Sequence, residues 1–150
     1  MMKKLPRGIS NNNPGNIDYN SRNDWQGQIG IEEGVAKPRF ARFDSPENGI
    51  RALAKLLINY RGKDGTPGIG LQGIDTVRET INRWAPAVEN NTDAYVRAVS
   101  AEAGVLPNES INIRDRRILL AVVTAIIKHE NGGNPYSQAV IAEGVRRALT

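Results

Sequence analysis

A carboxylate set at the end of an apolar run is the group in this sequence best placed to do chemistry. The segment Ala125-Ile126-Ile127-Lys128-His129-Glu130-Asn131-Gly132-Gly133-Asn134-Pro135-Tyr136 puts Glu130 in the last turn of a predicted helix, immediately before a Gly-rich exit. A Glu in that position has one side against apolar packing and the other open to a cleft. Partial burial disfavours the charged carboxylate, which suits the group to donate a proton near neutral pH. The partial negative charge at a helix C-terminus pushes the same way. The plainer alternative is a Glu that caps or ion-pairs at a helix end. His129, the single histidine, lies about 100° around the helix from Glu130 and reads as structural or peripheral.

Composition narrows the chemistry further. With no cysteine and one histidine, the chain has no disulfide framework, zinc finger, Cys nucleophile or His-rich metal site. A Ser-His-Asp triad would need His129 as its base. Catalysis therefore rests on carboxylates, hydroxyls, amides or lysine. Fifteen residues are Asn, and amides both donate and accept, which matches sugar hydroxyls and acetamido groups but also makes turns. Asn12 and Asn13 are candidates to line a glycan cleft, although Asn-Asn-Pro-Gly is first of all turn chemistry. Of the two tryptophans, Trp25 lies in a polar stretch and is the better sugar-stacking platform, whereas Trp84 continues an apolar face and reads as core. Asp44 and Glu47 offer a second carboxylate, but their place at a helix start explains them by the helix dipole alone. Gly68-Ile69-Gly70 lacks the preceding strand and following Gly of a phosphate loop.

The elements that must position these residues form one domain, 1–150, of α+β class, mostly helical with a short hairpin. The chain's 150 residues are enough to bury roughly two-thirds of the unfolded surface without staples. Residues 1–45 read as loop and short strands, with Gln28 to Glu32 and Pro38 to Phe43 as a hairpin around Glu33-Gly34. Asp44-Ser45-Pro46-Glu47 opens a helix carrying Ile50, Leu53, Ala54, Leu57 and Tyr60. Gly62 to Gly73 reads as a connector, with a mobile flap as the alternative. Val77, Ile81 and Trp84 mark a short helix ending before Pro86. Thr92 is the expected cap of the next helix, which Gly104 closes. Arg114 to Glu130, apolar on most faces, is the expected central buried helix. Ser137 caps a final amphipathic helix through Val140, Ile141, Val145 and Leu149.

The net charge of +4 and pI near 9.6 suit nucleic acid, anionic lipid or an anionic wall polymer, or plain solubility. The basic residues come singly or in pairs (Lys3 and Lys4, Arg116 and Arg117, Arg146 and Arg147), not in the clusters of a nucleic-acid patch. The polar stretch Gly8 to Asn16 stands where a secretory signal would need an apolar region. The run Ile118 to Ile127, broken by Thr124, is too short to span a bilayer. The expectation is a soluble protein made in the cytoplasm without a signal peptide.

The segment Ala125 to Pro135 resembles the first motif of lytic transglycosylases of the goose-type-lysozyme superfamily, in which an apolar helix ends in the catalytic Glu, then a small residue and an Asn-Pro turn. Trp25-Gln26-Gly27-Gln28-Ile29 is loosely similar to the family's Gly-Leu-Met-Gln-Ile block, without the Leu-Met pair. Glu89-Asn90-Asn91-Thr92-Asp93-Ala94-Tyr95-Val96-Arg97-Ala98-Val99 resembles the block whose Tyr lies beside the catalytic Glu. In the family the catalytic helix opens the domain, whereas here it lies near the end. The resemblance thus implies a circularly permuted lysozyme-like domain with a short β-hairpin. Arg7-Gly8-Ile9-Ser10-Asn11-Asn12-Asn13-Pro14-Gly15-Asn16-Ile17 also resembles an opening shared by many phage-encoded wall-lytic and virion proteins.

What the resemblance implies is a peptidoglycan lytic transglycosylase acting on the MurNAc-β-1,4-GlcNAc bond. Glu130 would be acid and then base, Tyr95 would hydrogen-bond near it, and Gln28, Asn12, Asn13 and Trp25 would contact substrate. One carboxyl group suffices, with neither metal nor cofactor, unlike the paired carboxylates of most glycosidases. The implied partner is bacterial peptidoglycan. No nucleic acid and no stable membrane insertion are expected, and the protein would be a monomer reaching the periplasm after holin release or as a virion component. The rivals are a hydrolytic muramidase using Asp44 or Glu47, and an inactive virion structural or wall-binding protein.

Overall fold

The computed structural model describes residues 5–62, 65, 70–71, 73–85 and 91–150. Lys3 and Lys4, the Gly68-Ile69 pair and other parts of the Gly62 to Gly73 connector, Pro86, and the Glu89-Asn90 start of the Tyr95 block lie outside the described residues. Among those described, the order is α1 (Arg7–Ser10), β1 (Gln28–Ile31), β2 (Ala41–Phe43), α2 (Pro46–Asn59) with a 3-10 turn at Tyr60–Gly62, α3 (Val77–Trp84), α4 (Thr92–Ala103), α5 (Arg116–Asn131) and α6 (Gln138–Leu149). The chain is thus mostly helical with one two-stranded antiparallel sheet. No described helix is long and apolar enough to cross a membrane.

Local chemistry explains where the helices begin. The Ser45 hydroxyl accepts the Asn48 N–H at 3.2 Å, and Pro46 occupies the first helical position of α2, where no N–H is needed. Asp115 accepts the Arg117 and Ile118 N–H groups at the head of α5, and Ser137 accepts that of Val140 at α6. At α4 the sequence expectation is corrected. Thr92 is buried and its hydroxyl donates to the Ala85 carbonyl at 2.7 Å, so capping falls to Asn91, which accepts the Ala94 N–H at 3.3 Å. The single turn α1 lies where the residue pattern predicts loop, because four residues are too few to carry a helical period.

The core forms around α5. Leu119, Val122, Val123, Ile126 and Ile127 are fully or almost fully buried, and the helix packs against α1, α2, α4 and α6. Each such side chain contributes about 1.5–3 kcal/mol on leaving water. The helices α2 and α6 approach closely, because Gly144 presents bare backbone to Ile50. Gly49 does the same on the other side, where the Asn12 carbonyl rests on α2 so tightly that no Cβ would fit.

The N-terminal segment is tied down by polar groups, and its anchor is a residue the sequence did not single out. Glu32 is buried and accepts from the Arg7 guanidinium, the Asn11 amide at 3.1 Å, and the Arg39 and Phe40 backbone N–H groups at 2.9 and 3.2 Å. The Arg7 guanidinium is the main reason its carboxyl is lowered to about 2. The two backbone donors and Asn11 assist, and burial opposes them. Residues 17–19 then run along the free edge of β2, where Ala41 donates to the Ile17 carbonyl and Tyr19 to that of Arg39, each at 2.9 Å.

Two outcomes follow from this packing. Gly49→Ala should lower stability by about 2 kcal/mol or more through overpacking, read as a lower urea midpoint at unchanged m-value. Glu32 holds its proton less tightly in the folded chain than the ordinary 4.5. Its contribution is therefore complete above that pH and is lost as pH falls toward 2. Urea midpoints measured across this window should drop in the wild type, and Glu32→Gln should flatten that part of the profile.

Candidate active site

Glu130 sits one residue before the end of α5. The helix stops because Gly132 adopts φ +68°, a left-handed geometry that costs glycine little. Gly132 and Gly133 turn the chain away, and the half-buried Glu130 faces an open cleft of about 470 Å³. The cleft is walled by Gly15 to Asp18 from the N-terminal turn, Arg39 and Phe40 before β2, Leu56 and Tyr60 from the end of α2, and Trp84 and Ala85 from α3.

Each Glu130 oxygen has an uncharged donor. The Tyr95 hydroxyl donates to Oε2 at 3.1 Å, and the Asn16 amide reaches Oε1 at 3.5 Å. Tyr95 is fully buried on α4, and its ring stacks on His129 with centroids 3.6 Å apart. Burial first, then the neighbouring Glu130 charge and the hydrogen bond to it, push the phenol well above its ordinary value of 10, while hydrogen bonding with Trp84 opposes this. Tyr95 is therefore a permanent donor at any working pH.

Of the residues singled out from sequence, Glu130 and Tyr95 come together across 35 positions of the chain. The others do not line this cleft. Asn13 is fully buried and occupied by the backbone: its amide donates to the Ile17 and Ala41 carbonyls, and its oxygen accepts the Ile17 N–H. Asn12, at φ +51°, spends its amide on the Phe43 carbonyl. Gln28 pairs in β1 opposite Phe43 and donates to the Asn23 carbonyl. Trp25 and Trp84 are both partly buried and pack against the core, and of the two only Trp84 also lines the cleft. Asp44 accepts from Asn48 beside the start of α2, and neither it nor Glu47 lines the cleft.

Sequence reading missed Asn16, Asp18 and Tyr60. Asn16 lies in the same turn as Asn12 and Asn13, and only the fold decides which amide of such a turn faces the acid. Asp18 pairs with Arg39 at 2.7 Å on the cleft wall.

No family model matches the chain. It is 35% identical over 145 residues to Protein P5 of Pseudoalteromonas phage PM2, a match spanning 95% of this chain and 82% of that protein. The chain belongs to the family of that phage protein. Membership in the Protein P5 family gives the chain a bacteriophage origin.

Because the folded chain holds the Tyr95 proton while an unfolded one releases it near 10, this group's contribution to stability is complete below that pH and declines above it. Tyr95→Phe should cost about 1 kcal/mol. Its alkaline tyrosinate absorbance should match that of the wild type until the protein unfolds.

Proposed function

We propose that the chain is a phage-encoded peptidoglycan lytic transglycosylase, built on a circularly permuted lysozyme-like domain and cutting the MurNAc-β-1,4-GlcNAc strand. Protonated Glu130 gives its proton to the glycosidic oxygen as the C1–O bond breaks. The resulting carboxylate then takes the proton of the C6 hydroxyl while that oxygen bonds to C1, closing a 1,6-anhydro ring. The acid is regenerated, and neither water nor a cofactor is consumed. The observation that carries the reading is the environment of Glu130, a carboxyl group on a cleft wall with a neutral donor at each oxygen. Among the described residues no cation is ion-paired with it, and a single such carboxyl group is all the reaction requires. The aromatic side chains of Trp84, Tyr60 and Phe40 on the cleft wall suit a carbohydrate ligand, with guanidinium groups already lying over the Phe40 and Tyr60 rings. The site of action would be the wall, reached from the host cytoplasm at lysis or carried by a virion.

A hydrolytic muramidase is the second reading, and one observation favours it. Asp18 lines the same cleft as Glu130 and supplies the second carboxylate that an inverting or retaining hydrolase needs, in place of Asp44 or Glu47.

Digesting purified peptidoglycan with the wild type and Glu130→Gln, and weighing the products, tests both readings. Muropeptides lighter by one water than their reducing counterparts, lost in the variant, are the expected result. Reducing ends would move the mechanism to hydrolysis. The absence of cleavage by a well-folded sample would overturn the enzyme reading in favour of a structural or wall-binding role.

A further inference from the structure

The Asn16 amide is built into the site at some cost. Its backbone has φ +51°, a conformation that residues other than glycine adopt uncommonly. Its Oδ1 is buried without a hydrogen-bond partner among the described residues, as is Oδ1 of Asn131. Both oxygens lie over Gly8, where a side chain would meet them at 2.9 and 2.6 Å. Asn131, next to Glu130 on α5, donates to the Pro14 carbonyl at 2.8 Å and to the Ile127 carbonyl at 2.9 Å. The residue that follows the acid therefore clamps the turn that presents Asn16. Asn12 shares the left-handed backbone, but the amides of Asn12 and Asn13 serve the backbone and leave no buried oxygen unpartnered, whereas Asn16 and Asn131 each leave one, which is unfavourable in a folded chain.

We propose that Asn16 is the positioning residue for Glu130. Its amide steadies Oε1 while Tyr95 steadies Oε2, so the carboxyl keeps one orientation toward the cleft. An amide suits both states of an acid that becomes a base. Its N–H donates to the carboxylate, and its carbonyl, after a half-turn of the side chain, accepts from the carboxylic acid. The separation of 3.5 Å is at the long end for a hydrogen bond, and catalytic contacts of this kind tighten as substrate binds. The inference deepens the proposed transglycosylase reading and rests on it for its kinetic consequence.

Asn16→Gly and Asn16→Asp test it. Glycine accepts the turn geometry without the amide. Aspartate keeps the shape and the tolerance for positive φ, but replaces the donor with a charge that repels Glu130. Both should reduce kcat on peptidoglycan by about ten-fold or more with KM within about two-fold, the aspartate variant more severely. If both retain wild-type kcat, Asn16 is a turn residue and the proposal falls.

The side-chain carboxyl carbon of Glu130, followed by NMR in 13C-labelled protein, separates this outcome from failure of the functional reading. Loss of the amide contact should move that resonance in Asn16→Gly whether or not the wild type cleaves glycan, and an unmoved resonance overturns the proposal. Should the glycine variant fail to fold, the aspartate variant carries the same two readouts.

Discussion

The site exists only because two ends of the chain are held together. Glu130 and Asn16 are 114 positions apart, and the clamp between them is the hydrogen bond from the Asn131 amide to the Pro14 carbonyl, the same amide being fixed on its own helix by the Ile127 carbonyl. Closing so long a loop costs conformational entropy that one such hydrogen bond, at about 1 kcal/mol, would not offset alone. The burial of α5 supplies the rest. Its apolar faces bring α1, α2, α4 and α6 onto one helix, and the polar clamp then selects a register within a contact that hydrophobic burial has already made favourable.

The N-terminal segment shows how a chain stretch with few apolar residues can still be ordered. Its amides and the Glu32 carboxylate stand in for a core. Asn13 satisfies three backbone groups, and Glu32 collects donors from α1, from the turn and from the approach to β2. Fully satisfied buried networks of this kind specify geometry more than they add stability. That property fits a segment whose task is to set one wall of a cleft. Gly8 and Gly49 complete the arrangement by letting backbone and amide oxygens come closer than any side chain would allow.

On the wall of the Glu130 cleft Arg39 is engaged with Asp18, and on α5 Lys128 is engaged with Glu102, while among the described residues a phenol and an amide hydrogen-bond to Glu130. Burial favours the protonated Tyr95 phenol, the form that donates to Oε2. The cleft is open and lined by more than one aromatic ring, a surface suited to a polymer more than to a small enclosed ligand.

Much of this was written in the sequence through local physics. Periodicity marked α2, α3, α4, α5 and α6, and Ser45 and Ser137 marked the starts of α2 and α6, because side chains three and four positions apart share a helix face and a Ser before a helix satisfies its free N–H groups. The apolar run ending in Glu130 and Gly132 set the end of α5 for the same reason, and the spacing of Gln28 to Phe43 located the hairpin. Tertiary structure decided what sequence neighbours cannot distinguish. Asn12, Asn13 and Asn16 are identical side chains within one turn, yet only the last faces Glu130, because backbone carbonyls claim the first two. Trp25 and Trp84 both pack half-buried against the core, yet only Trp84 also borders the Glu130 cleft, since what a ring faces depends on the elements that pack around it. Glu32, an ordinary surface residue by type, became an anchor only when Arg7, Asn11, Arg39 and Phe40 converged on it from separate parts of the chain.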